Sequence, residues 1–197
     1  MPKINRTDLE NFFDYGLHIP SREIYLGASQ QDSEGLETGE LMISRLIKSL
    51  SVLSKSEGPI TIITHNLGGC EYAMFGIYDA IRACKKNHIE MRVFGAAMSA
   101  GAVILQAADY RVISPNSRLM IHYGTWFFEG HSKDFDKYAD ENKILCHKME
   151  DVLLERIRQK HPKFTRAKIV EMLKFDTFIS ASEAVDLGLA DAVLPEE

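Results

Sequence analysis

The feature that most constrains this chain is a strand that must turn into a helix across a run of small residues. Met91 to Phe94 has strand composition, and Gly95-Ala96-Ala97-Met98-Ser99-Ala100-Gly101-Ala102 follows directly. Ala100 to Ala107 then reads as a buried helix. Only Met98 is bulky near Ser99, so the backbone can turn sharply and leave the Ser99 hydroxyl at the tip. The next amide, on Ala100, falls at a helix N-terminus, where donors are unpaired and the dipole favours negative charge. An acyl-transfer enzyme needs such a donor beside its nucleophile. The same pattern also describes an ordinary N-cap serine, and the segment alone leaves both readings open.

Elsewhere β-rich runs alternate with helical ones. Glu23 to Leu26, Ile60 to Thr64, Tyr110 to Ile113 and Leu119 to Ile121 are predicted strands. Ile43, Leu46, Ile47 and Leu50 mark the buried face of one helix, and Ala73, Ile77, Ala80, Ile81 and Cys84 that of another. Gln30 to Gly39 is polar and turn-like. From about Ser132 to His161 the pattern is one long amphipathic helix, with Leu145, Met149, Val152 and Leu153 as its apolar stripe. A helix of that length must project beyond a small core or pack on another subunit. Thr165 can cap a helix to Lys174, and Ser180 with Glu183 has capping-box spacing before a last helix that Gly188 ends. The alternation predicts an α/β fold with crossover connections. Residues 1–21, with an aromatic patch at Phe12, Phe13 and Tyr15, read as a mobile or partner-docked arm, and 22–197 as a single domain.

Composition narrows the function. With 197 residues and 45% apolar side chains, one domain can build a core without disulfide or metal staples. Lys and Arg total 23 against 28 Asp and Glu, a formal charge of −5, which argues against a general nucleic-acid binder. Three unclustered cysteines, Cys70, Cys84 and Cys146, read as reduced thiols. The seven histidines lack metal-ligand spacing, so neither a metal nor another cofactor is expected. No signal peptide is visible behind Met1, and the apolar stretch Val93 to Ala108 is shorter than the ~20 residues a membrane span takes. A cytoplasmic protein with no membrane or nucleic-acid partner is expected.

Three further segments could complete a site around Ser99. Gly68-Gly69 lies between a strand and a helix, so its amides can point into the same crevice, although tight turns need glycine anyway. His122 follows the apolar strand Leu119 to Ile121, and strand ends are where active-site side chains gather in α/β sheets. Histidine, with a generic unperturbed pKa of about 6.5, is the side chain suited to act as general base for a serine hydroxyl, which is too weak an acid alone. Asp176 lies in Lys174-Phe175-Asp176-Thr177-Phe178-Ile179, read as a link between two helices. A carboxylate amid apolar residues is costly unless compensated, and a histidine N–H would compensate it.

Together these segments resemble the ClpP family, the proteolytic subunits of the ATP-dependent Clp protease. The resemblance starts at Arg22-Glu23-Ile24-Tyr25-Leu26-Gly27 and covers most of the chain. Pro115-Asn116-Ser117-Arg118-Leu119-Met120-Ile121-His122 is close to the family's histidine motif. Gly95 to Ala102 fits its nucleophile turn, and Phe175 to Ala181 with Gly188-Leu189 fits its aspartate segment. The resemblance implies a ClpP/crotonase-type spiral of β-β-α units with a protruding handle helix at about 132–161. It implies a serine endopeptidase with Ser99 as nucleophile, His122 as base and Asp176 orienting the base. Gly69 and Ala100 become the oxyanion donors, and Gly68 and Met98 border the substrate. It further implies a homo-oligomer of stacked heptameric rings that encloses unfolded polypeptide fed by an AAA+ ATPase.

The chain departs from the family at several positions. Leu67 stands where proline is usual, which is expected to loosen the turn before Gly68. Phe175 replaces an arginine that helps couple the two rings, and Thr61 and Ile63 replace aromatics of the ATPase-docking pocket. Tyr123 to Gly130 is bulkier than the usual Gly-rich strand on which substrate is expected to pair edge-on. A divergent or phage-encoded relative would fit these changes. The rival readings are a crotonase-like acyl-CoA enzyme, which Ala107 to Val112 would suit, and an inactive structural subunit of a ClpP-like ring. A Ser–Lys dyad is compatible with the fold, but no lysine has comparable motif support.

Overall fold

The computed structural model describes residues 6–27 and 37–195. Helix α1 (Arg6–Tyr15) leads into β1 (Leu17–His18) and β2 (Glu23–Leu26). Residues 6–18, read from sequence as part of an arm, therefore fold as a helix and an edge strand. Leu17 supplies the reason, because it is buried in the core and pairs antiparallel with Ile24. Phe13 and Tyr15 stay exposed, while Phe12 packs edge-on against His18.

Most of the polar stretch Gln30 to Gly39, residues 30–36, lies outside the described residues. The two residues Glu37–Thr38 form β3, followed by α2 (Glu40–Leu53), β4 (Ile60–Asn66), β5 (Gly68–Gly69) and α3 (Glu71–Ala83). Helix α2 buries Met42, Leu46, Ser49, Leu50 and Leu53, whereas Ile47 is 44% exposed. The apolar stripe is thus rotated from the expected face: Met42 and Leu53 extend it on one side and Ile47 falls off the other. His65 and Asn66 belong to β4 rather than to a loop, and Gly68–Gly69 pairs in parallel with β3.

Strand β6 (Ile89–Met98) runs four residues further than its composition suggests. Glu90 to Val93 pair with β7 (Tyr110–Ile113), and Ala96 to Met98 pair with β8 (Arg118–Ile121). Gly95, at φ 79°, stands at the change of partner, and a Cβ there would lie 2.7 Å from His65 Nδ1. The small residues of this run thus let one strand bend between two neighbours. The turn itself is confined to Ser99, and α4 (Ala100–Leu105) follows at once.

The long helix is a 3-10 turn over Ser132–Asp134 running into α5 (Phe135–Lys160). Leu145, Met149, Leu153, Leu154 and Ile157 seat its second half on the core, while its first ten residues bury nothing and leave Phe135, Tyr138 and Ile144 exposed. Then come α6 (Arg166–Leu173), β9 (Thr177–Ser180), α7 (Ala181–Leu187) and β10 (Ala192–Val193). Thr165 caps α6, and Ser180 and Glu183 form the expected capping box.

Among the described residues the main sheet has eight strands, in the order β1-β2-β4-β6-β7-β10, with β8 on the far half of β6 and β9 antiparallel to β8. Helices α2, α3 and α4 cover one face, where Leu46, Leu53, Ile62, Ile77, Met91 and Leu105 are fully enclosed. Buried Arg111 ties the C-terminal turn to this body. Its guanidinium donates to both Asp191 carboxylate oxygens, at 2.9 and 2.7 Å, and to Gln106 Oε1 and the Gly188 carbonyl. Among the described residues no helix is long and apolar enough to cross a membrane.

Candidate active site

Ser99 occupies the single residue between β6 and α4, with φ 50° and ψ −118°. A side-chain-bearing residue held there costs about 1–3 kcal/mol, so its surroundings must hold it in place. They do so from both sides. Its N–H donates to the Met120 carbonyl at 2.8 Å, and its own carbonyl accepts from the Ala102 N–H at 3.0 Å. The hydroxyl is thereby fixed at the tip of the turn. Gly68 approaches it closely: a Cβ on Gly68 would lie 2.8 Å from Ser99 Cβ and 3.3 Å from Oγ.

His122 and Asp176 are brought together by strand register. Ile121 pairs with Thr177 across the antiparallel β8–β9 ladder, so the next pair outward is His122 and Asp176. His122 Nδ1 lies 2.7 Å from Asp176 Oδ1, and His122 Nε2 lies 3.0 Å from Ser99 Oγ. An ionised carboxylate only accepts, so in the neutral ring Nδ1 carries the proton and Nε2 is left to accept from the Ser99 hydroxyl. The three residues named from sequence thus form one continuous relay. Their setting differs from the expectation in one respect. Asp176 is not enclosed by its aromatic neighbours, because the link turns outward. The Asp176 side chain is 57% exposed and Phe175 is 77% exposed, whereas the His122 ring is only 22% exposed.

The two glycines differ in what their amides do. The Gly68 N–H donates to Asn66 Oδ1 at 2.8 Å and is therefore engaged. Gly69 is exposed beside it, and Ala100 provides the first amide of α4, directly after Ser99. Met98 pairs with Met120, and Met120 with Phe178, so these three form an apolar row across the sheet. The row lies on the His122 and Asp176 face, one rung away from that pair.

Two further features lie near the site. Tyr123, the residue after His122, donates its N–H to the Leu173 carbonyl at 2.9 Å and its hydroxyl to Glu150 Oε1 at 2.7 Å. Burial, and then the Glu150 carboxylate, push the Tyr123 phenol well above its ordinary pKa. Arg166 balances buried Glu150 from the other side at 2.6 Å and also donates to Asp151. Nothing local in the sequence pairs these residues, which lie on a loop and two helices. The second feature is the segment after His122. Residues 122–130 form no strand, and Trp126 and Phe128 cluster instead with Phe135 and Tyr138 at the start of α5.

A sharply turned serine, a histidine and an aspartate in series on an α/β sheet are the equipment of a hydrolase that works by a nucleophile. Comparison with known proteins makes the class specific. Residues 23–197 match the Clp protease family, and the chain belongs to that family. It is 34% identical over 159 residues to the ATP-dependent Clp protease proteolytic subunit of Deinococcus radiodurans, covering 79% of this chain and 75% of that one. Its fold matches that of a mutant ClpP1 from Listeria monocytogenes with a TM-score of 0.76 at 23% identity, over 91% of this chain and 94% of the other. The fold is accordingly the ClpP type, with α5 as its handle helix.

Proposed function

We propose that the chain is a serine endopeptidase that cleaves unfolded polypeptides through an acyl-enzyme, with Ser99, His122 and Asp176 as its triad. The observation that carries this reading is the unbroken relay from Ser99 Oγ to His122 Nε2 at 3.0 Å and from Nδ1 to Asp176 at 2.7 Å. Ser99 Oγ attacks the peptide carbonyl carbon while its proton passes to His122 Nε2, and Asp176 stabilises the imidazolium formed. The carbonyl oxygen becomes an oxyanion held by the Gly69 and Ala100 amides. Collapse breaks the C–N bond, and Nε2 returns the proton to the leaving amine. Water, deprotonated by the same nitrogen, then attacks the ester and frees Ser99. Gly68 keeps the loop close to the nucleophile, and Met98, with Met120 and Phe178, offers an apolar floor to a substrate side chain.

Family membership supports a wider setting for this reading. The protein works in the cytoplasm as a homo-oligomer of stacked heptameric rings, receiving unfolded chains from an AAA+ ATPase. The apolar side chains exposed on the first half of α5 support an assembled state, since a monomer leaves Phe135, Tyr138 and Ile144 in water. The test is to treat the protein and its Ser99→Ala variant with a fluorophosphonate and read intact masses. One adduct on the wild type and none on the variant is expected. An unmodified wild type would instead support the structural-subunit reading.

A further inference from the structure

Resting on that peptidase reading, we infer that Asn66 is the positioning residue of the oxyanion site, fixing the glycine loop and the first turn of α4 relative to one another. Asn66 ends β4 and is only 1% exposed. Its carboxamide oxygen accepts the Gly68 N–H at 2.8 Å, an arrangement in which an asparagine side chain closes a turn on the backbone two residues ahead. The amide nitrogen donates to Thr38 Oγ1 at 3.0 Å and lies 3.6 Å from Met42 Sδ. The Thr38 hydroxyl is also 3.1 Å from Asn66 Oδ1. The Gly68 N–H sets the orientation of the carboxamide, with its oxygen aimed at the loop, while Thr38 and Met42 hold it from β3 and α2.

The other side of Asn66 meets α4. A Cβ at Gly101 would lie 2.8 Å from the Asn66 carbonyl oxygen and 3.0 Å from its Cβ and Cγ. Gly101 therefore lets the helix that begins at Ala100 rest directly on Asn66. One buried side chain touches both elements that present the proposed donors. It also performs the task that Leu67 cannot, since a leucine leaves the backbone before Gly68 free to rotate where proline would not. Because the Gly68 N–H is engaged inward, the loop's contribution to the oxyanion falls to Gly69.

The experiment compares wild type, Asn66→Ala and Thr38→Val in steady-state cleavage of a fluorogenic peptide, and in inhibition by a peptide boronate and by the matching product peptide. The boronate forms a tetrahedral adduct on Ser99 that needs the oxyanion donors, whereas the product peptide, used as its uncharged C-terminal amide, brings no oxyanion to them. Asn66→Ala is expected to lower kcat roughly 10- to 100-fold, below the loss from deleting a donor outright. KM and product affinity should stay within about twofold, while boronate affinity falls in step with kcat. Thr38→Val should give a smaller loss of the same pattern. A purely structural Asn66 would lower the melting temperature but leave the ratio of boronate to product affinity unchanged, and that result overturns the inference. If Asn66→Ala does not fold, an unchanged ratio in folded Thr38→Val overturns it equally. A wild type that fails to react with fluorophosphonate removes the peptidase reading, and this inference with it.

Discussion

Two aspartates in this molecule each accept a hydrogen bond of 2.7 Å from a nitrogenous side chain, Asp176 from His122 and Asp191 from Arg111. The Arg111 side chain is 4% exposed and Asp191 29%, and the carboxylate takes two guanidinium bonds plus the Arg111 backbone N–H. That pair is saturated. Asp176 has one such bond and faces solvent. The donors differ in kind as well, since a guanidinium never gives up its proton near neutrality and an imidazole does so readily. A carboxylate crowded by a permanent cation anchors structure. One that touches a titratable ring and little else can let the ring gain and lose charge during a reaction.

The sharpest way to break this comparison is Asp176→Asn. On the proposed mechanism, in which Asp176 orients the base, it should lower kcat by roughly 10³- to 10⁴-fold, with little change in thermal stability. A kcat within tenfold of wild type would put the two aspartates in the same class.

Asp191→Ala should do the opposite. It leaves Arg111 buried without its counter-charge, at a cost of about 3 kcal/mol, near the low end for such losses because Asp191 is partly exposed. Urea denaturation reads this, and activity per folded molecule should not change. Acid sharpens the point. Burial tends to raise the Asp191 pKa, but the Arg111 hydrogen bonds and charge outweigh it and hold the carboxyl below its ordinary value. Its stabilisation is therefore whole above the unfolded pKa of about 4 and is lost as pH falls through the lower folded value. Wild type and Asp191→Ala should differ most at pH 7 and converge in strong acid.

The smallest expected effect concerns backbone strain. Ser99→Gly should be more stable than Ser99→Ala by about 1 kcal/mol, because only glycine adopts φ near 50° without cost. Equal melting temperatures would mean that the turn at Ser99 stores no strain.

What could be read from sequence was whatever had a local signature. Ser99 stood out by its small neighbours, His122 by the apolar strand before it, and the Ser180–Glu183 cap by spacing alone. The Ala96–Met98 part of β6 did not, because alanines carry little strand preference and pairing with β8 decides their conformation. Strand β9 has no local signature, because its partner lies more than fifty residues earlier and no window contains both. Helix α2 showed its period but not its exact facing, which the packing of Met42 and Leu53 fixes. Asn66 carried a readable sign, an asparagine two residues before a glycine at a turn. Its burial and its contact with Thr38 did not follow from that sign.

The β8–β9 ladder also sets an order of events. Ser99 and His122 lie in the first two-thirds of the chain, and the strands that hold them can pair as soon as they emerge from the ribosome. Asp176 cannot reach His122 until Thr177–Ser180 has been made and has closed a loop of more than fifty residues, a slow, non-local step. On the proposed mechanism, an unfinished chain therefore carries a nucleophile whose base has no orienting partner. On that mechanism a half-made chain stays harmless to its neighbours until β9 has been made and has paired.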